Sequence, residues 1–388
     1  MSEHATSQSI PLSAIILAAG MSSRCRQFKP LLPLGGETII ERVIRIYRDA
    51  GISNVIVVTG FRANDLIPIV EHMHAKAVLN PLYQQGMFSS VTAGLSILPD
   101  ACPAFFIHPV DIPLVRPHTI RCLQEAFAHE SHGVYYPVFL SERGHPPLIS
   151  GNFRQSILMW SGSGGLRGFL NQHEADAREI SVADRFILQD IDIPKDYRQA
   201  VGCLSQYDVP SDGECRMLMK DVPENIRRHC DVVAAETERI GARLNAVGCR
   251  LDMSLMIAAA RIHDVARDQP NHAAAGARIL KHHGFGRTAD IVAQHMDFPP
   301  PDNAPITEAE VVYIADKRVQ ADRVTGIEMR FESKLHRYAE NPDACRQIIK
   351  RRDQARKSLR RIEDRIGALD RYPFELSATP TNEFNPSR

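Results

Sequence analysis

The chain changes rhythm once, and that change limits what it can fold into more than any single motif. Up to about Tyr197, short apolar and β-branched runs (Ala14–Ala19, Asn54–Gly60, Ala104–Asp111, Gly133–Phe139) alternate with amphipathic stretches such as Thr38–Gly51 and Ser89–Leu98. Continuous apolar runs of this length read as buried strands, and the stretches between them as helices. Alternation of this kind forces right-handed crossovers and predicts an α/β fold: a doubly wound, mostly parallel sheet covered on both faces. Ligands of such sheets bind outside the carboxyl ends of the strands.

Beyond Tyr197 the strand signals stop. Leu204–Cys215 is rich in turn formers, and after it Val222–Leu244, Asp252–Ala266, His272–Gly284, Thr288–Met296 and Thr307–Val324 all carry helical spacing, so the second half is expected to be all-α. The expected organisation is a first domain over 10–203, a linker over 204–217, a helical domain over 218–370 and a polar, disordered tail over 371–388. A chain of 388 residues is too long for one ordinary core, which agrees with two domains.

Lys plus Arg and Asp plus Glu both number 46, so no whole-molecule field for nucleic acid exists, and nucleic acid is an unfavoured partner. The eight cysteines contain no C-x-x-C pair and read as reduced thiols rather than a disulfide frame or zinc knuckle. No apolar run approaches a membrane span and the N-terminus lacks a signal pattern, which predicts a cytoplasmic protein with no membrane partner.

Chemistry concentrates first after the opening strand. Ala18, Ala19, Gly20, Ser22 and Ser23 are small enough at the bend for backbone N–H groups to face an anion, and Arg24 and Lys29 add full charges. Neither G-x-x-x-x-G-K-[ST] nor G-x-G-x-x-G is present. The bend resembles the L-A-A-G-x-S-x-R-x-G-x-x-K signature of MobA-like nucleotidyltransferases of the molybdenum-cofactor type. Asn80–Leu95, Pro109–Val115, Arg143–Ser150, Ser161–Leu170 and Asp190–Tyr197 resemble further segments of that family, in order.

The resemblance implies Mg²⁺-dependent transfer from a nucleoside triphosphate. Leu17, Ala18, Ala19, Gly20, Ser22, Arg24, Lys29 and Ser89 would bind the nucleotide, and Lys29 and Asp111 would be catalytic. Asp111 and Asp192 would hold the metal, with Asp190 the competing choice. A strand-end aspartate such as Asp111, taken alone, serves equally as a turn cap. Within the family the LAAG form goes with cytidine, which favours CTP; a small phosphorylated or anionic acceptor is implied, molybdopterin being the precedent, with Arg143 and Arg167 on its side. A second copy or a molybdoenzyme is the implied protein partner. Arg26 departs from the family glycine and puts bulk beside the phosphates.

In the second half, His229, His263, Asp264, His272, His295 and Asp316 stand in an order that resembles the HD phosphohydrolase superfamily. His263 and Asp264 are expected side by side on one helix, able to converge on one ion with His229 and Asp316, while His272 and His295 resemble the pair of members that hold a second metal or place cationic imidazoles on substrate phosphate. Imidazole with carboxylate suits Mn²⁺, Fe²⁺, Zn²⁺ or Ni²⁺. The resemblance makes Asp264 catalytic as well as a ligand, and a metal-bound water the nucleophile on a phosphate compound. Arg267 and Lys317 are candidate phosphate contacts or solvated charges, and His282 and His283 fall outside the pattern. A bifunctional enzyme is one reading; a transferase with an inactive, regulatory metal- or nucleotide-binding HD domain is the other. Cys345–Leu369 reads as a basic helix packed by a stripe at Ala355, Leu359, Ile362, Ile366 and Leu369, with RNA binding the minor alternative.

Overall fold

The computed structural model describes residues 10–25, 27–161, 163–299 and 304–369. The expected tail and Arg26 lie outside them. The chain divides into two compact units, Met1–Tyr207 and Asp208–Arg388.

The first unit runs β1 (Ser13–Leu17), α1 (Ile39–Asp49), β2 (Asn54–Thr59), α2 (Ala63–His72), β3 (Lys76–Leu79), α3 (Met87–Ser96), β4 (Ala104–Pro109), α4 (Pro117–His129), β5 (Val134–Phe139), β6 (Glu142–Arg143), β7 (Leu148–Ser150), α5 (Arg154–Leu158), α6 (Gly165–Gln172), β8 (Ala177–Ser181) and α7 (Pro194–Cys203). Its sheet has the order β3-β2-β1-β4-β7-β5-β6, with β8 on β5. The sheet is mostly parallel; β7 and β6 run against it. Register does the positioning: Leu17 pairs with Val58 on one side and Pro109 on the other, so three strands end at one edge and release the loop after β1 next to Asp111.

Ile15, Ile56, Val58, Phe105 and Ile107 form the core beneath α3, which contributes Val91 and Leu95. Gly94 lets α3 lie this close, because a Cβ there would sit 2.4 Å from Ile15 Cγ2 and 3.2 Å from Val58 Cγ2.

The second unit is helical: α8 (Asp212–Leu218), α9 (Glu224–Ala246), α10 (Met253–Ile262), α11 (His272–His282), α12 (Gly286–Val292), α13 (Glu308–Arg318), a ribbon of β9 (Val319–Gln320) and β10 (Arg323–Val324), α14 (Ile327–Arg337) and α15 (Pro342–Ile366). Helix α13 is buried from Ala309 to Arg318, charged residues included, and so is the central helix. Its charges are answered by neighbours: Arg361 reaches Glu310 at 3.0 Å and Arg318 reaches Glu236 at 2.6 Å.

Three local expectations differ from the structure. Residues 204–217 are not irregular throughout, since a 3₁₀ turn spans Leu204–Gln206 and α8 starts on a Ser211–Glu214 capping box. The helix expected to run to Val324 stops at Arg318, where Val319 and Val324 pair across a turn whose Ala321 takes φ +54°. His263 and Asp264 lie not on the helix but just past the end of α10, His263 being its C-cap. Helix α15 buries Ala355, Ser358 and Ile362, and its Arg351, Arg356 and Arg361 are paired with Asp297, Glu328 and Glu310. The expected packing of this helix is therefore present. All eight cysteines are free, and among the described residues no helix is long and apolar enough to cross a membrane.

Replacing Gly94 by Ala should destabilise the first unit by about 1–3 kcal/mol through overpacking. Gly202→Ala in α7, where a Cβ meets nothing within 4 Å, should leave stability level or raise it by no more than about 1 kcal/mol. Urea unfolding of the two variants checks the contrast, and equal stabilities would contradict the packing argument.

Candidate functional sites

In the first unit the loop after β1 opens on a cavity of about 270 Å³ lined by Ala19, Gly20, Ser22, Lys29, Ser90 and Asp111, among others. The amide of Ala18 is committed to the sheet, donating to the Val58 carbonyl at 2.9 Å, so it does not face an anion as expected. Among the described residues no hydrogen bond engages the amides of Ala19 to Arg24. Ser22 takes the left-handed bend, φ +55°, and its Oγ accepts from the Lys29 N–H at 3.1 Å, which closes the loop. Gly20 needs no positive φ; a Cβ on it would meet nothing within 4 Å, so its smallness leaves room rather than relieving the backbone.

Lys29 is buried, and its ammonium lies 3.2 Å from Asp111 Oδ2 and 3.1 Å from Asp192 Oδ1. Arg24, 70% exposed, reaches the other Asp192 oxygen at 2.7 Å. Asp190 is not part of this bridge. Burial, then repulsion from Asp192 and Asp111, raises its carboxyl above the usual range. The structure thus brings Lys29, Arg24, Asp111 and Asp192 together around one point.

Ser89 turns away from the cavity and donates to the Gly86 carbonyl at 2.8 Å, while Ser90 beside it lines the wall. Asn80, which sequence reasoning left unassigned, donates to Ser89 Oγ and Ser90 Oγ at 2.9 and 3.0 Å and fixes the start of α3. Arg143 does not stand free for an acceptor: it pairs with Glu174 and Glu179 and stacks on Tyr136.

His108 went unnoticed in the sequence, its one signal being a polar residue inside an apolar strand. It is fully buried, with Nδ1 2.8 Å from Tyr47 Oη and Nε2 2.9 Å from the Ile112 carbonyl, and so braces the turn that carries Asp111.

In the second unit His229, His263 and Asp264 offer ligand atoms all within 4.8 Å of one another, and so do Asp264, His272 and His295. Asp264 belongs to both groups. Asp316 joins through His229, 3.2 Å from Nε2 to Oδ1, and through His263 at 3.9 Å. All six predicted residues therefore meet in one cluster, which His282 and His283 do not join.

Backbone carbonyls set the ring directions. The Nδ1 of His229, His263 and His295 lies 2.7–2.8 Å from the carbonyls of Ala321, Ala260 and Val292. A carbonyl only accepts, so Nδ1 carries the proton and each Nε2 presents a lone pair inward. The β9–β10 turn thereby has a use: its Ala321 carbonyl aims His229. Inside, acceptors face acceptors, His229 Nε2 against Asp316 and His295 Nε2 against His272 Nε2 at 3.2 Å, and buried His263 Nε2 has no hydrogen-bond partner. A divalent cation fits such a donor set.

Burial alone would raise the Asp264 carboxyl, but neighbouring positive charge, that of Arg267 included, outweighs it and holds the group ionised. Burial likewise works against ionised Asp316, and Arg330 and Lys317 overcome it. Lys317 is not a solvated charge: it donates to Asp316 Oδ2 at 2.6 Å and to the His295 carbonyl at 2.8 Å. Arg267 sits 3.4 Å from Asp264 and 3.0 Å from His272 Nε2. Arg330, missed in the sequence, is 3.1 Å from Asp316.

Residues 14–177 match the MobA-like NTP transferase domain family, and residues 226–319 match the HD domain family. The molybdenum cofactor cytidylyltransferase of Escherichia coli K12 is 29% identical over 201 residues, covering 48% of this chain and 93% of that protein. A bifunctional GlmU protein of Corynebacterium aurimucosum is 30% identical over 129 residues, 31% of this chain and only 26% of that protein. Among solved structures, Rv0371c of Mycobacterium tuberculosis H37Rv (22% identity, TM-score 0.45) covers 50% of this chain and 99% of its own. A nucleotidyl transferase from Methanothermobacter (25% identity, TM-score 0.44) covers 49% and 96%. The chain is thus similar to MobA-like NTP transferases over residues 14–177 and to HD domains over residues 226–319.

His108 yields a pH prediction. Burial pushes its pKa from the ordinary 6.5 to about 4, so between those values the unfolded chain binds a proton that the folded chain refuses. Stability should fall as pH drops through that window, by about 3 kcal/mol at most from this group. His108→Phe should flatten the dependence by that amount in unfolding curves at pH 7 and pH 4.5; an unchanged slope would show that the ring is not held neutral.

Proposed function

We propose that the first unit transfers a nucleotidyl group from CTP to a small anionic acceptor of the molybdopterin kind, and that the second hydrolyses a phosphate compound with a divalent transition metal. The observation that carries the first part is the ammonium of Lys29 between Asp111 and Asp192 at the mouth of the loop cavity. Two carboxylate oxygens that share one buried cation suit Mg²⁺, which takes oxygen ligands. Asp111 and Asp192 would hold that ion, whose chemistry is to screen the α-phosphate.

The rest falls to the chain. The open amides from Ala19 to Ser23 and the side chains of Lys29 and Arg24 would grip the phosphates. The acceptor oxygen joins the α-phosphorus, the bond to the bridging α–β oxygen breaks, and pyrophosphate leaves with that oxygen. Choice of CTP is supported by the Leu17-Ala18-Ala19-Gly20 form of the loop and by the name of the 29%-identical relative.

The second part is supported by the inward lone pairs of His229, His263 and His295 around Asp264 and Asp316. Mn²⁺, Fe²⁺, Zn²⁺ or Ni²⁺ suits that mixture of imidazole and carboxylate, and supplies an acidified water. His263 and His295 are kept in one tautomer for it, and Asp264 is kept ionised.

In calorimetric titration with Mg²⁺, CTP should bind more tightly than GTP or ATP; equal affinities would remove the base assignment. Lys29→Ala should lower kcat/KM for transfer by about 10²–10³, the scale of losing a group aimed at developing charge. Full activity in that variant would overturn the reading of the first unit. The double variant His263→Ala/Asp264→Ala should lose bound transition metal and all hydrolysis of generic phosphoesters while transfer continues. A metal-free, inert parent protein would instead favour a regulatory HD domain.

A further inference from the structure

Helix α14 lies outside residues 226–319, the part of the chain that matches the HD family, yet it walls a cavity of about 370 Å³ that opens on His229 and Asp264. Arg330, Ser333, Lys334 and Arg337 all line it, at i, i+3, i+4 and i+7, which is one face of a helix. The adjoining stripe carries Ile327 and Phe331, both buried, so the core fixes the rotation of α14 beside the cavity. Arg267, from the segment between α10 and α11, adds a fourth cation to the lining.

These cations are answered unequally. Arg330 and Arg267 lean on the carboxylates of Asp316 and Asp264, at 3.1 and 3.4 Å. Among the described residues no carboxylate pairs with Lys334 or Arg337. Burial, then repulsion from Arg330 and Lys317, pushes the Lys334 ammonium down to about 8. Like charges four apart on a helix cost a few tenths of a kcal/mol each, and partial burial adds to that cost. The arrangement is suited to an anion that the described residues do not provide.

Its size and make-up narrow the anion. From Arg330 to Arg337 the helix rises about 10 Å, more than one phosphate group spans. A phosphate carries about −1.5 to −2 charges near neutrality, so Lys334 and Arg337 together answer about one phosphate group beyond the one at the carboxylates. Among the described residues His229 is the one aromatic ring that lines the cavity, so the wall offers charge far more than an aromatic platform for a base.

We propose that the second site takes a condensed phosphate, a chain of two or more phosphoryl groups, with its reacting end at Asp264 and Asp316 and its far end on Lys334 and Arg337. The proposal rests on the reading of this unit as a metal-dependent hydrolase. In the reaction, water oxygen bonds to the reacting phosphorus and the bridging P–O bond breaks. The bridging oxygen stays on the departing phosphate, which receives a proton from the water. Free oligophosphate and the phosphate end of a nucleotide share this chemistry.

The test is calorimetric titration, without added metal, of inorganic tripolyphosphate, orthophosphate and ADP into the full chain carrying Lys29→Ala, which disarms the first unit. The same titrations are run with Lys334→Gln/Arg337→Gln added. Tripolyphosphate should weaken by about tenfold or more, the equivalent of one or two charged hydrogen bonds, and orthophosphate by less than about threefold. Lys334→Arg with Arg337 intact should bind like the parent, and circular dichroism guards against misfolding. Unchanged tripolyphosphate affinity, or equal losses for both inorganic anions, would overturn the proposal. ADP binding as tightly as tripolyphosphate and weakening with it supports a nucleotide source, and ADP binding far more weakly supports the free chain. Hydrolysis that survives His263→Ala/Asp264→Ala would sink the hydrolase reading separately, leaving the titration to judge the anion site.

Discussion

A carboxylate taken out of water must be answered by positive charge, and both units of this chain are organised around that requirement. In the first, Asp111 and Asp192 converge and Lys29 is drawn between them at 3.2 and 3.1 Å. In the second, Asp316 sits fully inside the protein with Lys317, Arg330 and His229 against it, and Asp264 gathers His263, His272, His295 and Arg267. The cations that answer these carboxylates are also those best placed to meet a phosphate. A phosphate ligand would therefore rearrange the same interaction that makes the carboxylates tolerable.

How much of this a reader of the sequence could see depends on how local each signal is. The strand-to-loop transition at Leu17–Gly20 and the strand-end aspartate at Asp111 are written in a few consecutive residues, and the sheet's register brings them together. The six clustered residues of the second unit were legible through an order that resembles HD proteins, and the polar His263, Asp264 and Asp316 inside apolar segments demanded partners. Which of two neighbouring serines faces the cavity was not legible. Ser90 rather than Ser89 does so because α3 is rotated onto β1, a consequence of Gly94 against Ile15. The Ala18 amide was misread for a similar reason: its partner, the Val58 carbonyl, belongs to another strand.

The second unit shows a subtler limit. Helical spacing across Thr307–Val324 is genuine, but a pattern of period 3.6 says nothing about a two-residue ribbon that begins where α13 leaves the core. That ribbon turns out to matter, since the Ala321 carbonyl sets the tautomer of His229. Likewise the charges of α14 look like any amphipathic surface helix when read alone. Only the packing of Ile327 and Phe331 fixes which way Arg330, Lys334 and Arg337 face.

This gives the second unit a division of labour along the chain. Residues from His229 to Asp316 supply the groups that would hold metal, and they do so through rings locked by backbone carbonyls, a rigid and sequence-dense arrangement. The ribbon and α14 that follow supply charge at a distance, through long side chains with rotamer freedom that can adapt to a ligand. A metal centre tolerates little variation in its ligands, whereas a cationic wall can be altered one residue at a time without disturbing the centre. Chemistry would then be set by the locked rings, and the choice of phosphate compound by α14. Arg330 is the hinge between the two, because its one guanidinium touches both Asp316 and the cavity.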